Sequence, residues 1–218
     1  MKQMQAAKYY SPAEERINIG SHAFGLILSV IALALLATHA ALHGSALHII
    51  SFSIYGVSLI ILYTASTLYH RARNPDARNK LRVFDHASIY VLIAGTYTPL
   101  ALVTLNGQTG WIIFGITWGL AAIGIVLKLF FTGRYNLLST LMYIFMGWII
   151  IFAIKPLVNN LPEGGLIWLV TGGLAYTTGA ILYGIKKIKF NHAIFHIFVL
   201  AGSFSHFVTV FFYVLPHD

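Results

Sequence analysis

Residues 23–42 read AFGLILSVIALALLATHAAL, twenty positions without a single Asp, Glu, Lys or Arg. A helix of about 20 apolar residues is what a bilayer demands, because each residue rises about 1.5 Å and the hydrocarbon core is about 30 Å thick. Working outward from Ala23–Leu42, six more stretches have the same character: Ile49–Tyr69, Val83–Leu105, Trp111–Phe131, Leu137–Ile154, Leu166–Ile185 and Ala193–Leu215. The fifth is the shortest and has room to extend at either end. The connectors are short, and two carry turn chemistry, Asn106-Gly107 and Pro162-Glu163-Gly164-Gly165. The expectation is an all-α membrane protein, a bundle of seven transmembrane helices.

Composition closes off the other classes. Of 218 residues, 58% are hydrophobic and 9% are charged, against roughly 25% charged in an average soluble domain. So few charges cannot solvate the surface of a soluble globule, and so much apolar character is incompatible with disorder. The net charge is +8, but the basic residues fall in short clusters between apolar runs, so no nucleic-acid footprint is expected. The absence of cysteine excludes disulfides and thiolate metal sites. Any metal must be held by His, carboxylate or water.

Those basic clusters set an orientation. Lys2, Lys8 and Arg16 precede the first span, and Arg71, Arg73, Arg78, Lys80 and Arg82 lie between the second and third. Lys128 and Arg134 flank the link between spans 4 and 5, and Lys186, Lys187 and Lys189 fill the link between spans 6 and 7. Thirteen basic residues thus share one side, and Lys155 stands alone on the other. The positive-inside rule places the N-terminus in the cytoplasm and the C-terminus outside, as expected of a multi-pass protein of the cell membrane. Residues 1–22 form a cytoplasmic segment and 23–218 the transmembrane domain. The first apolar run starts too late and runs too long for a cleavable signal peptide. Ser11-Pro12-Ala13-Glu14 is a capping-box pattern with Pro at the first helical position, predicting a short cytoplasmic helix that leads into span 1.

Ionisable groups inside spans are expensive and usually functional. Asp85 is the one carboxylate within a span. Left to itself it either snorkels to the interface, pairs with a nearby Arg, or serves a site. His192 and His196 are spaced i, i+4, which puts both imidazoles on one helix face as a chelate requires. Ser66 and His70 repeat that spacing at the end of span 2. The loop charges place His70, Asp85, His192 and His196 at one depth. Three histidines and a carboxylate in one layer fit a tetrahedral Zn²⁺ with three protein ligands and a water, although imidazoles also suit other divalent metals. His86 points about 100° away from Asp85 on a helix. His22 is read as interfacial, and so are His39, His43 and His48 around the outer end of span 1. The stripe 192, 196, 199, 203, 206 turns Ser203 and His206 inward, with His206 about 21 Å along the axis from His192 and out of reach of the same metal. It either lines an inner cavity or hydrogen-bonds a neighbouring helix.

Together these residues resemble the hemolysin III group of bacterial membrane proteins, within the progestin and adipoQ receptor (PAQR) superfamily. The resemblance runs from about Ser11 to Tyr213. It is carried by Glu14-Glu15-Arg16-Ile17-Asn18, Ser21-His22, Ser66-Thr67-Leu68-Tyr69-His70, Phe84-Asp85-His86-Ala87-Ser88-Ile89-Tyr90, Ala94-Gly95-Thr96-Tyr97-Thr98-Pro99 and Asn191-His192-Ala193-Ile194-Phe195-His196. It implies seven helices with an internal N-terminus. It also implies a zinc ion held by His70, His192 and His196, with Asp85 holding its water or ligating directly and Ser66 beside it to orient the water or an oxyanion. The superfamily link to alkaline ceramidases implies hydrolysis of a lipid amide or ester and a part in membrane lipid homeostasis. The alternative is a lipid-responsive, receptor-like regulator with a structural zinc, for which Tyr97-Thr98-Pro99 in span 3 offers a hinge or cavity wall. A pore-forming haemolysin fits less well, since a secreted toxin must stay soluble before it inserts and no ring of charges suited to a selectivity filter is present.

Overall fold

The computed structural model describes residues 8–132 and 134–215, so Lys2 of the first basic cluster lies outside it. Among the described residues every regular element is helical: α1 Pro12–His43, α2 Ala46–Arg71, α3 Pro75–Pro99, α4 Gly107–Phe131, α5 Asn136–Gly147, α6 Ile154–Asn160, α7 Glu163–Gly184 and α8 Asn191–Thr209. They form seven segments long and apolar enough to cross a membrane.

Ser11 caps α1 as its pattern predicts, its hydroxyl accepting from the Glu14 backbone N–H at 3.3 Å with Pro12 in the first turn. No proline follows within the helix, and α1 runs unbroken for 32 residues. The short helix expected before span 1 is therefore the first turns of that span. Asn74 caps α3 in the same way, accepting from Asp76 and Ala77 N–H at 2.9 and 3.1 Å, again with a proline following.

Three spans depart from regular helix, the last of them only at its end, where α8 passes into a π-helical turn over Val210–Val214. Pro99 has no N–H to donate, and the chain after it widens into a π-helical turn over Leu100–Leu105. The turn ends at Asn106 and Gly107, with φ of 51° and 50°, the left-handed backbone that Asn-Gly tolerates. The fifth span is broken: α5 gives way to a 3₁₀ turn over Ile149–Ala153 before α6. Backbone freed inside a bilayer must find partners, and Tyr97 supplies them. Its hydroxyl donates to Gly147 O and accepts from Ile150 N–H, both at 2.9 Å.

Helices α1, α2, α3 and α8 pack closely, with α7 against α8. Small residues set the approach. A Cβ added at Gly25 of α1 would stand 2.6 Å from the Tyr63 ring, and one at Gly124 of α4 would stand 2.3 Å from Tyr90. Helix α5 touches its neighbours lightly, and between it, α3, α7 and α8 the bundle encloses a cavity of 180 Å³.

Candidate metal centre

The start of α8 is fixed by its own turn. Phe190 takes a left-handed φ of 58°, and the Asn191 side chain donates to Tyr183 O at the end of α7 at 2.7 Å. Glu14 accepts the His192 backbone N–H at 3.3 Å, placing a carboxylate at the N-terminus of α8, where the helix dipole favours one. His192 and His196 then lie one turn apart, buried, and face His70 at the end of α2.

The three rings converge. His192 Nε2 lies 3.0 Å from His70 Nε2 and 3.1 Å from His196 Nε2. A tetrahedral ion with metal–nitrogen bonds of about 2.0–2.1 Å holds its nitrogens about 3.3 Å apart. Hydrogen bonding on the far side of the rings assigns their protons. His70 Nδ1 meets Glu15 Oε2 at 2.7 Å, and His196 Nδ1 meets Asn18 O at 3.3 Å. Both partners are acceptors, so both Nδ1 atoms carry hydrogen and both Nε2 lone pairs point inward. His192 Nε2 has one hydrogen at most and cannot answer two lone pairs. Its Nδ1 is also buried without a hydrogen-bond partner among the described residues. Three inward imidazole nitrogens with a surplus lone pair are the donor set of a divalent metal, and the residues fit one.

Around these rings lies a support shell drawn largely from α1. Glu15 on His70 is the carboxylate–histidine pairing that fixes tautomer and raises ligand basicity. Glu15 also pairs with Arg78. Arg78 is 1% exposed, and it donates to Tyr69 O, His70 O and Ala72 O at the end of α2 and to Lys8 O. Tyr10 stacks on the His192 ring at 4.5 Å, and burial pushes its phenol up, so it stays neutral. His22 stacks on the His196 ring at 3.5 Å.

Asp85 lies outside the tight triad but beside it. Asp85 and Ser66 both line the cavity that His192 and His196 border. His70 opens instead on a second pocket, lined by Tyr9, Glu15, Arg16 and Arg71 at the basic end of the bundle. The rest of the main cavity wall is mostly apolar, with Leu92, Ile93, Ile144 and Val199 among its residues.

Several expectations change here. His22 is buried at 3% exposure rather than interfacial, because the unbroken α1 carries it beneath His196. His86 stands 4.0 Å from Asp85 Oδ2 and lines the same cavity, since the cavity is wide enough to take side chains from adjacent faces of α3. His39 is buried against Leu215 O at 2.7 Å, while His43 stays exposed. His206 serves both roles foreseen for it, lining the cavity and donating to Leu169 O of α7 at 3.2 Å. Glu15, Asn18, Tyr10 and Arg78 were not anticipated. A signal existed for the α1 group: Glu14, Asn18, Ser21 and His22 form a polar stripe at helical spacing, which an exposed helix end does not need.

A family model described as Haemolysin-III related matches residues 10–207. The chain is 49% identical over 203 residues to Hemolysin-3 of Bacillus cereus, covering 93% of each. It is 48% identical over 200 residues to a Hemolysin-3 homolog of Bacillus subtilis (strain 168), covering 92% of this chain and 94% of the relative. A more distant likeness, 27% identity over 217 residues, joins it to the human monocyte to macrophage differentiation factor, covering 94% of this chain and 87% of that one.

Proposed function

The chain belongs to the Haemolysin-III-related family, and from that premise we propose that it is an intramembrane zinc hydrolase acting on a lipid amide or ester, with a part in membrane lipid homeostasis. The observation that carries this is the convergence of three imidazole nitrogens, two of them from histidines at the edge of an apolar cavity that also holds a carboxylate and a hydroxyl. His70, His192 and His196 would hold the ion. When bound, zinc supplies Lewis acidity to a carbonyl and to water.

The chain's own residues do the rest. Asp85 takes a proton from water on a carboxylate oxygen as that water attacks the acyl carbon, and returns it to the leaving nitrogen or oxygen as the acyl bond breaks. Ser66, which lines the cavity with Asp85, orients the attacking water or turns its hydroxyl to the oxyanion. Leu92, Ile93, Ile144 and Val199 take the lipid chain and keep bulk water out. The basic end of the bundle, which carries these residues, faces the cytoplasm of the cell membrane by the positive-inside rule. Because the chain has no cysteine, single cysteines introduced at Arg73 and Lys155 would report that orientation by reagent accessibility.

The test is turnover joined to metal content. Wild type and Asp85→Ala, purified in detergent, are assayed for bound zinc and for cleavage of a panel of lipid amides and esters. The expected result is that Asp85→Ala keeps its zinc and loses about 10²–10⁴-fold in rate. Bound zinc without cleavage of any lipid would favour a second reading, a lipid-responsive regulator with structural zinc. The π-helical turn after Pro99 and the break in the fifth span, two bendable places bridged by Tyr97 beside the cavity, support that alternative.

A further inference from the structure

Lys128 sits in the last turn of α4, 4% exposed, and lines the same cavity as Asp85, His192 and His196. No ion pair joins Lys128 to a carboxylate among the described residues, where Glu15 pairs with His70 and Arg78 and Asp85 lies beside His86. Arg82 of α3 is a second buried cation at the basic end of the bundle. The Tyr143 ring lies 5.9 Å from the ammonium. A distant aromatic face and the carbonyl end of α4 offset only part of the cost of burying a cation in a membrane. An ammonium in this setting needs an anion.

Neither the metal-ligating histidines nor Asp85 uses Lys128. Ser139 and Thr140 of α5 border the cavity with it, and Ile89, Ile93 and Ile144 continue the wall as an apolar surface. We propose that Lys128 is the counter-ion for the acidic headgroup of a lipid held in this cavity. The ligand is then an anionic amphiphile, with a phosphate or carboxylate at Lys128 and its chain along the apolar wall. Lys128 selects among lipids by charge. This rests on the cavity being a lipid site, but not on hydrolysis.

The test is therefore equilibrium binding with single-chain probes that carry no amide or carboxylic ester. Dodecyl phosphate, dodecanoate and dodecanol are titrated into the purified protein in a neutral detergent, with binding followed by the shift in unfolding temperature and zinc content measured alongside. Wild type is expected to bind at least one of the two anions about tenfold or more tighter than dodecanol, as a charge-assisted hydrogen bond allows. The anion preferred identifies the source, a phospholipid-type headgroup or a free fatty acid. Lys128→Arg should keep the preference. Lys128→Met and Lys128→Gln should abolish it while leaving dodecanol binding and zinc content unchanged. A wild type that does not discriminate, or a neutral variant that still does, overturns the proposal. Absence of lipid cleavage in the turnover assay would leave it standing and overturn the hydrolase alone.

Discussion

The cavity has two unlike walls, and α3 and α5 show the difference. In the span of α3, 78% of the most apolar window is buried, whereas in the span of α5 and α6 the share is 22%. Helix α3 brings Asp85 and His86 to the cavity and is fastened at its base by Arg78. Helix α5 turns Leu137, Leu138, Leu141 and Phe145 outward, each more than half exposed. It meets the rest of the bundle through a few polar contacts, among them Tyr143 with His86 O and Tyr97 with Gly147 O. Chemistry is thus mounted on the buried wall, while the other has little holding it shut.

Substitutions can break or sharpen that contrast. The largest effect is expected from Arg78→Gln, which takes from Glu15 its guanidinium partner and frees the carbonyls at the end of α2. Losing one member of a buried ion pair costs about 3–5 kcal/mol, read as a fall in unfolding temperature in detergent. Glu15→Gln should keep the fold but weaken metal affinity by about 10–100-fold, as loss of a supporting carboxylate does, measured by competition with a zinc chelator. Tyr97→Phe leaves Gly147 O and Ile150 N–H without the hydroxyl between them and should cost about 1–3 kcal/mol. Hydrogen exchange should speed up around residues 147–153 and not around His192. Leu141→Ala on the outer face of α5 should change stability by no more than about 0.5 kcal/mol. An Arg78→Gln effect no larger than that of Leu141→Ala would erase the distinction between the walls.

The same contrast explains what was legible in the sequence. Seven spans could be read because lipid imposes apolarity over a fixed length, and the three histidines because i, i+4 spacing and loop charge put them at one depth. Glu15 and Arg78 were hidden because their partners are 55 and 63 residues away in sequence, and a carboxylate near an interface normally needs no partner. His22 was misplaced because the boundary of span 1 was drawn by hydropathy at Ala23, and hydropathy does not register that α1 already starts at Pro12. The break in the fifth span left little trace, since Gly147 sits in an otherwise apolar run and the compensating hydroxyl comes from Tyr97 on another helix. Lys128 looked like a loop charge until the fold turned it into the cavity.

The hydrolase proposed for this cavity depends on a metal at His70, His192 and His196. The most direct measurement is elemental analysis of the protein purified in detergent without added metal, beside His192→Ala prepared the same way. Three convergent imidazoles predict about one zinc ion per chain in wild type and its loss from the variant, with the variant still folded. A wild-type protein that is folded and carries no divalent metal, or a variant that retains the full complement, would contradict the metal centre.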